Sequence, residues 1–171
     1  MIRQATAADI DAIEQTYIEL LAHERRVGSA TNWDENYPTR KVPEMAVPKG
    51  WVYVLEEGGV IRASMLLNGE QGPGYDEIAW NVEAADSEVL VIHTLVVPPT
   101  EARHGYGKQM LDFALEWGRE HGKTTCRIDT WLGNAPARAF YARNGFVETG
   151  VVHVLHWGVI EEDQVLLDIK L

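Results

Sequence analysis

The run "EVLVIHTLVVPP", Glu88 to Pro99, constrains the fold more than any other stretch of this chain. Between Val89 and Val97 only His93 and Thr94 are polar. A strand with one wet face alternates apolar and polar side chains, whereas apolar residues at both parities mark a strand covered on both faces. Pro98 and Pro99 cannot donate to a ladder and end the run. The chain must therefore build a sheet around this segment and pack layers against both of its sides.

The flanking segments supply those layers. In "MIRQATAADIDAIEQTYIELLAHERR" a short strand leads to Thr6 as N-cap with Asp9 three residues on. Ile10, Ile13, Tyr17, Leu20 and Leu21 then follow at helical spacing. Residues 27–50, with glycines, prolines and the polar-embedded Trp33 and Tyr37, read as a loop with one short helix. "WVYVLEEGGVIRASMLLNGE" is a hairpin turning at Glu57, Gly58 and Gly59, and residues 69–87 are Gly-rich and weakly patterned. After the prolines, Met110, Leu111, Ala114, Leu115 and Gly118 define one face of a helix. "TTCRIDTWL" is a strand, and "NAPARAFYARNGF" is a helix capped by Asn134, with Pro136 in its first turn. The tail forms a closing antiparallel hairpin whose run "VVHVLHW" either pairs between subunits or fills the sheet. The order β-α-α-β-β-β-α-β-α-β-β predicts an α/β (α+β) mixed sheet with helices packed on it, in one domain over residues 1–171.

Charge narrows the function. Fifteen Lys and Arg oppose 26 Asp and Glu, a formal net charge of −11, which repels nucleic acid and anionic lipid. Acidic residues near the N-terminus and the lack of a long apolar run argue against a signal peptide or a membrane span. Cys126 is the only cysteine, so neither an intrachain disulfide nor a cysteine-rich zinc site forms, and a cytoplasmic location without a metal is expected.

The stretch "EARHGYGKQML" places Gly105 and Gly107 at a strand-to-helix junction. Glycines there let successive backbone N–H groups form a concavity at the positive end of a helix dipole, a phosphate-type anion site; the alternative is a turn serving only close helix packing. Met110 excludes a dinucleotide fingerprint, and Ala102 and Gln109 exclude a Walker A loop.

Together with "NAPARAFYARNGF", the stretch "LVVPPTEARHGYGKQML" resembles the GNAT superfamily of acyl-CoA-dependent N-acetyltransferases. Leu95, Val97 and Pro99 fall on its L-x-V-x-P strand, and Gly105 and Gly107 on its [Q/R]-x-x-G-x-[G/A] turn. Asn134, Ala137, Tyr141, Gly145 and Phe146 fall on its N-x-x-A-x-x-x-Y-x-x-x-G-F segment. The chain departs at the [Q/R] position, which is Ala102, with Arg103 one residue on. The resemblance implies a mixed, mostly antiparallel sheet with a central splayed parallel strand pair, flanked by about four helices. It implies acetyl-CoA as co-substrate, held by Leu95, Val96, Val97, Arg103, His104, Gly105, Tyr106, Gly107, Lys108, Asn134, Ala137 and Tyr141. Arg103, Lys108, Arg138 and Arg143 are expected to add positive charge near the cofactor.

The implied reaction is direct attack of a neutral amine on the thioester, through a tetrahedral intermediate, with Tyr141 protonating the leaving thiolate. Many members place a glutamate base where this chain has Val91. Strand alternation puts His93 on the same face as Val91, Leu95 and Val97, where it is either the base or a satisfied core histidine; Asp129 and Glu88 are weaker relays. Trp33, Tyr37, Arg40, Trp80 and Trp131 are the acceptor-side candidates. Arg40 either binds an acceptor carboxylate or is a surface charge, and Trp33 and Tyr37 either wall the acceptor or pin a loop. The expected partner is a small-molecule amine, with a homodimer open. The alternatives are acetylation of protein N-termini or lysines, and a non-catalytic acyl-CoA-binding regulatory module.

Overall fold

The computed structural model describes residues 1–171. Its strands are β1 (Ile2–Gln4), β2 (Val52–Glu57), β3 (Val60–Asn68), β4 (Val89–Val96), β5 (Thr125–Trp131), β6 (Val147–His156) and β7 (Ile160–Lys170). Its helices are α1 (Ile10–Val27), α2 (Lys41–Ala46), α3 (Tyr106–Glu120) and α4 (Ala135–Arg143). This is the predicted order. The strands pair in the sequence β1-β2-β3-β4-β5-β7-β6; the β4–β5 pair is parallel, and the pairs on either side of β7 and of β2 are antiparallel. No helix is long and apolar enough to cross a membrane.

The chain packs as two compact units, divided within β4 and near the end of α3. The first comprises Met1–Gly28, Pro38–Asn68 and Ile92–Glu116. In it the hairpin β2–β3 turns on Gly58 and Gly59, both at positive φ (62° and 78°), as a two-residue turn matched to strand twist requires. Asp9 reaches back to the Thr6 N–H (2.7 Å) and hydroxyl (2.9 Å), closing the first turn before α1. Arg3 grips the same carboxylate through two bonds of 2.8 Å. Helix α1 packs on β3, burying Ile13 and Tyr17, and Phe113 of α3 lies 5.1 Å from Tyr53 of β2.

The second unit comprises Ser29–Tyr37, Gly69–Val91 and Trp117–Leu171. Its core joins Val89 and Val91 of β4 to Val152, Val154 and Leu166 of the β6–β7 hairpin. The weakly patterned segment 69–87 covers this core: Tyr75 is buried in it and Ile78, Trp80 and Ala84 pack against it. Two hydrogen bonds to carboxylates of distant strands hold the segment, the Tyr75 hydroxyl donating to Asp129 Oδ2 (2.8 Å) and the Val82 N–H donating to Asp168 Oδ2 (2.9 Å).

Candidate active site

Strand β4 pairs with β5 at Val89, Leu90 and Val91 only, opposite Thr125, Cys126 and Arg127; β4 continues to Val96 and β5 to Trp131 without further rungs. Thr94 has φ 48°, a left-handed conformation that a β-branched residue adopts only at a cost. The extended geometry is thus interrupted one residue after His93. Burial still alternates through the interruption, with His93, Leu95 and Val97 half-buried and Thr94 and Val96 buried. His93 Nε2 lies 3.0 Å from Asn68 Oδ1. An amide oxygen only accepts, so in this contact Nε2 is the donor. Asn68, at the end of β3, carries no local pattern that marks it; only the pairing of distant strands reveals it.

Beyond β4, residues Pro99–Glu101 form a 3-10 turn, fastened by the ion pair of Glu101 with Arg62 and by the Thr100 hydroxyl donating to Glu19 (3.0 Å). Arg103 (φ 69°) and Gly105 (φ 77°) are both left-handed, and a Cβ added at Gly105 would meet no atom within 4 Å. The glycine is needed for its backbone angle, and open space lies beside it. The first helical bond at this end is donated by the Gln109 N–H to the Gly105 carbonyl (3.1 Å), so the N–H groups of Tyr106, Gly107 and Lys108 have no acceptor inside the helix. These three amides, at the positive end of a four-turn helix, fit an anionic pyrophosphate.

The side chains of this turn are otherwise engaged. The Tyr106 hydroxyl donates to Glu57 (2.6 Å), which raises its pKa, and its ring stacks on His104 at 5.5 Å. Lys108 is ion-paired with Asp112. The positive charge expected from Lys108 is therefore largely neutralised locally by Asp112.

In the second unit Tyr141 is buried on α4 between Phe140 and Phe146. Burial pushes its phenol well above the ordinary tyrosine range, keeping it protonated at neutral pH. Asn134 caps α4: its Oδ1 accepts from the Ala137 N–H (3.1 Å) and its Nδ2 donates to Thr130 Oγ1 (3.1 Å). Both ends of its amide are used, so Asn134 shapes the helix end from within. Arg138 binds Glu148 twice (2.7 and 3.0 Å) and the Leu132 carbonyl (2.9 Å), which withdraws a second expected cation.

The acceptor-side candidates separate into three settings. Tyr37 is buried, meets Trp33 edge-on at 5.2 Å and His156 at 4.7 Å, and stacks on Trp157 at 5.2 Å, so these aromatics pin their loop to the β6–β7 turn. Trp80 lies against Tyr75 (5.0 Å) with the Arg127 guanidinium over its ring (4.1 Å), beside a cavity of about 580 Å³ rimmed by Asp76, Glu83 and Asp86. The Trp131 ring occupies the space beside Gly133, within 2.4 Å of where a Cβ would stand. Arg40 does not present a vacant guanidinium for an acceptor carboxylate. It binds Asp11 (2.6 Å), Glu14 (2.9 Å) and Glu44 (2.8 Å), joining α1 to α2. Of the weaker relay candidates, Asp129 accepts from Tyr75 and Glu88 accepts from the Ala85 N–H (3.0 Å) in a turn.

A strand interrupted at Thr94 leads through a left-handed turn into the N-terminus of α3. The model of the acetyltransferase (GNAT) family matches residues 15–146, and the chain belongs to that family. A curated, uncharacterised N-acetyltransferase of Lactobacillus delbrueckii subsp. lactis is 28% identical over 102 residues. The match covers 60% of this chain and 54% of that protein, so the chain aligns with about half of its relative's length. Among solved structures, a GNAT-family acetyltransferase of Streptococcus agalactiae superposes with a TM-score of 0.83 at 20% identity, covering 100% of this chain and 95% of the other. A Salmonella typhimurium protein assigned as an acetyltransferase and solved with its cofactor acetyl-CoA gives a TM-score of 0.70 at 18% identity, over 99% of this chain and 92% of that one. These likenesses concern the fold.

Proposed function

We propose that this protein transfers an acetyl group from acetyl-CoA to the primary amine of a small molecule in the cytoplasm. The observation that carries the reading is the turn at Arg103 and Gly105, which leaves three backbone amides at the start of α3 without helical acceptors. A pyrophosphate there is bound by amides that need no charged side chain, which suits a chain of net charge −11 whose nearby lysine is already paired. Bound acetyl-CoA supplies an activated thioester carbonyl. The end of β4, Leu95 to Val97, offers backbone donors to the carbonyl oxygen as charge develops on it. Tyr141, kept neutral by burial, holds a proton for the departing sulfur. His93 accepts a proton from the amine, directly or through water, while Asn68 holds its ring.

Replacing Tyr141 with Phe tests the reading, because it removes one oxygen and leaves the ring packing between Phe140 and Phe146 intact. With the best acceptor from a broad amine panel, kcat for thiol release is expected to fall roughly 10²–10³-fold, while calorimetric acetyl-CoA affinity stays the same. Binding of acetyl-CoA without turnover on any amine would instead establish a non-catalytic acyl-CoA-binding module.

A further inference from the structure

The cavity of about 580 Å³ beside Trp80 lies wholly within the second unit, and no residue given a part in acetyl transfer lines it. Its charges are arranged by depth. Asp76, Glu83 and Asp86 stand exposed around the rim, whereas Arg127 of β5, also in the lining, is only 5% exposed. Tyr75, Ile78, Trp80 and Ala84 supply apolar wall between them. A volume of this size with one buried polar group among apolar walls has the form of a small-molecule site.

Arg127 is a buried cation without an ion pair. Of the five N–H donors of a guanidinium, one on Nη1 goes to Gln71 Oε1 and one on Nη2 to the Val82 carbonyl at 3.3 Å, while Nε is buried with no acceptor. The carboxylate opposite it on β7, Asp168, is already engaged: Oδ1 accepts from Asn81 Nδ2 (3.1 Å) and Oδ2 from the Val82 N–H (2.9 Å). Asp86 is turned toward Gln71, whose Nε2 donates to its Oδ1 (2.9 Å). Trp80 covers the face of the guanidinium at 4.1 Å, which leaves the edge for hydrogen bonds. Desolvation lowers the Arg127 pKa in spite of Asp168 and Asp86 nearby, so the cation sits where a bound carboxylate would stabilise it.

A simple anion does not fit this setting, because three carboxylates surround the entrance and the chain carries a net charge of −11. A molecule with a carboxylate at one end and an ammonium at the other matches both depths. We propose that the cavity binds a free α-amino acid with an apolar side chain, its carboxylate on Arg127, its ammonium toward Asp76 and Glu83, and its side chain against Ile78 and Trp80. This inference does not rest on the acetyl-transfer reading, and it is tested by binding in the absence of acetyl-CoA.

Calorimetry on the intact protein compares three probes of related skeleton: L-leucine, L-leucinamide, which lacks the carboxylate, and isocaproate, which lacks the ammonium. L-Leucine should bind about tenfold or more tighter than either of the others. Its binding should change tryptophan emission, and the change should vanish in Trp80→Phe, which locates the ligand. Arg127→Gln should abolish L-leucine binding. Because Arg127 also holds Gln71 and Val82, that variant can loosen segment 69–87, and the exposed rim supplies an independent pair of variants. Asp76→Asn and Glu83→Gln, with thermal midpoints at the wild-type value, should weaken L-leucine several-fold and strengthen isocaproate. No heat from L-leucine at millimolar concentration, equal affinity for all three probes, an emission change that survives Trp80→Phe, or rim variants with unaltered L-leucine affinity would each overturn the proposal.

Discussion

Thr94 and Arg103 are the two left-handed non-glycine residues that bracket the end of β4 and its turn, and neither residue type favours that conformation. Backbone angles of this kind cost energy that the surrounding structure must offset. Gly105 differs, because its angle is free for glycine and no neighbour limits its side. Gly105→Val is therefore expected to act through the backbone, costing about 1–2 kcal/mol and weakening acetyl-CoA binding roughly 5- to 30-fold by calorimetry. Gly105→Asn, which tolerates the left-handed region, should lose much less; equal losses would point to a steric effect.

The His93–Asn68 contact is a second matter of single atoms. His93→Gln abolishes titration, so the acid limb of kcat/KM should disappear and activity should follow deprotonation of the amine itself. Asn68→Asp places a carboxylate on Nε2, favours imidazolium and should move that limb to higher pH. A profile unchanged in both variants would make His93 a core histidine and leave proton removal to water.

Among the elements, those with local punctuation were the legible ones. Thr6 and Asp9 announced the entrance to α1, two glycines the β2–β3 turn, Asn134 and Pro136 the start of α4, and each forms as its residues dictate. The Arg3 guanidinium beside Asp9 holds its carboxyl well below the usual carboxylate range. Its stabilising effect is thus complete above the unfolded value of about 3.9 and is lost as pH falls from there toward the folded value. Asp9→Ala should lower unfolding free energy by about 1–2 kcal/mol at neutral pH, and in urea titrations the gap to wild type should narrow below about pH 4. A gap independent of pH would remove the charge from the account. Segment 69–87 was opaque for the converse reason. Its order comes from Tyr75 reaching Asp129 and from Asp168 receiving Val82, contacts to strands far along the chain.

At the scale of the molecule, the charge of −11 works against self-association as well as against nucleic acid. This general repulsion between copies is screened by salt over about 8 Å at 0.15 M. Any self-association measured by sedimentation should therefore strengthen several-fold as NaCl rises from about 0.02 to about 0.2 M. Weakening with salt would indicate an interface held by ion pairs.

The order of strands and helices, the doubly covered central strand and the glycine turn at the entrance to α3 were determined by the sequence alone. Periodicity, caps, prolines and glycines act within a few residues and need no tertiary partner to be read. The assignment of individual charges was decided only by the tertiary structure. Arg40 and Arg138 look equally free along the chain, yet Arg40 spans three carboxylates on two helices and Arg138 bridges α4 to β6. The same holds for the strand at the edge. Val151, Val152, Val154 and Leu155 are chemically alike, and which pair fills the core and which faces outward depends on the β7 register, a pairing that sequence periodicity does not contain.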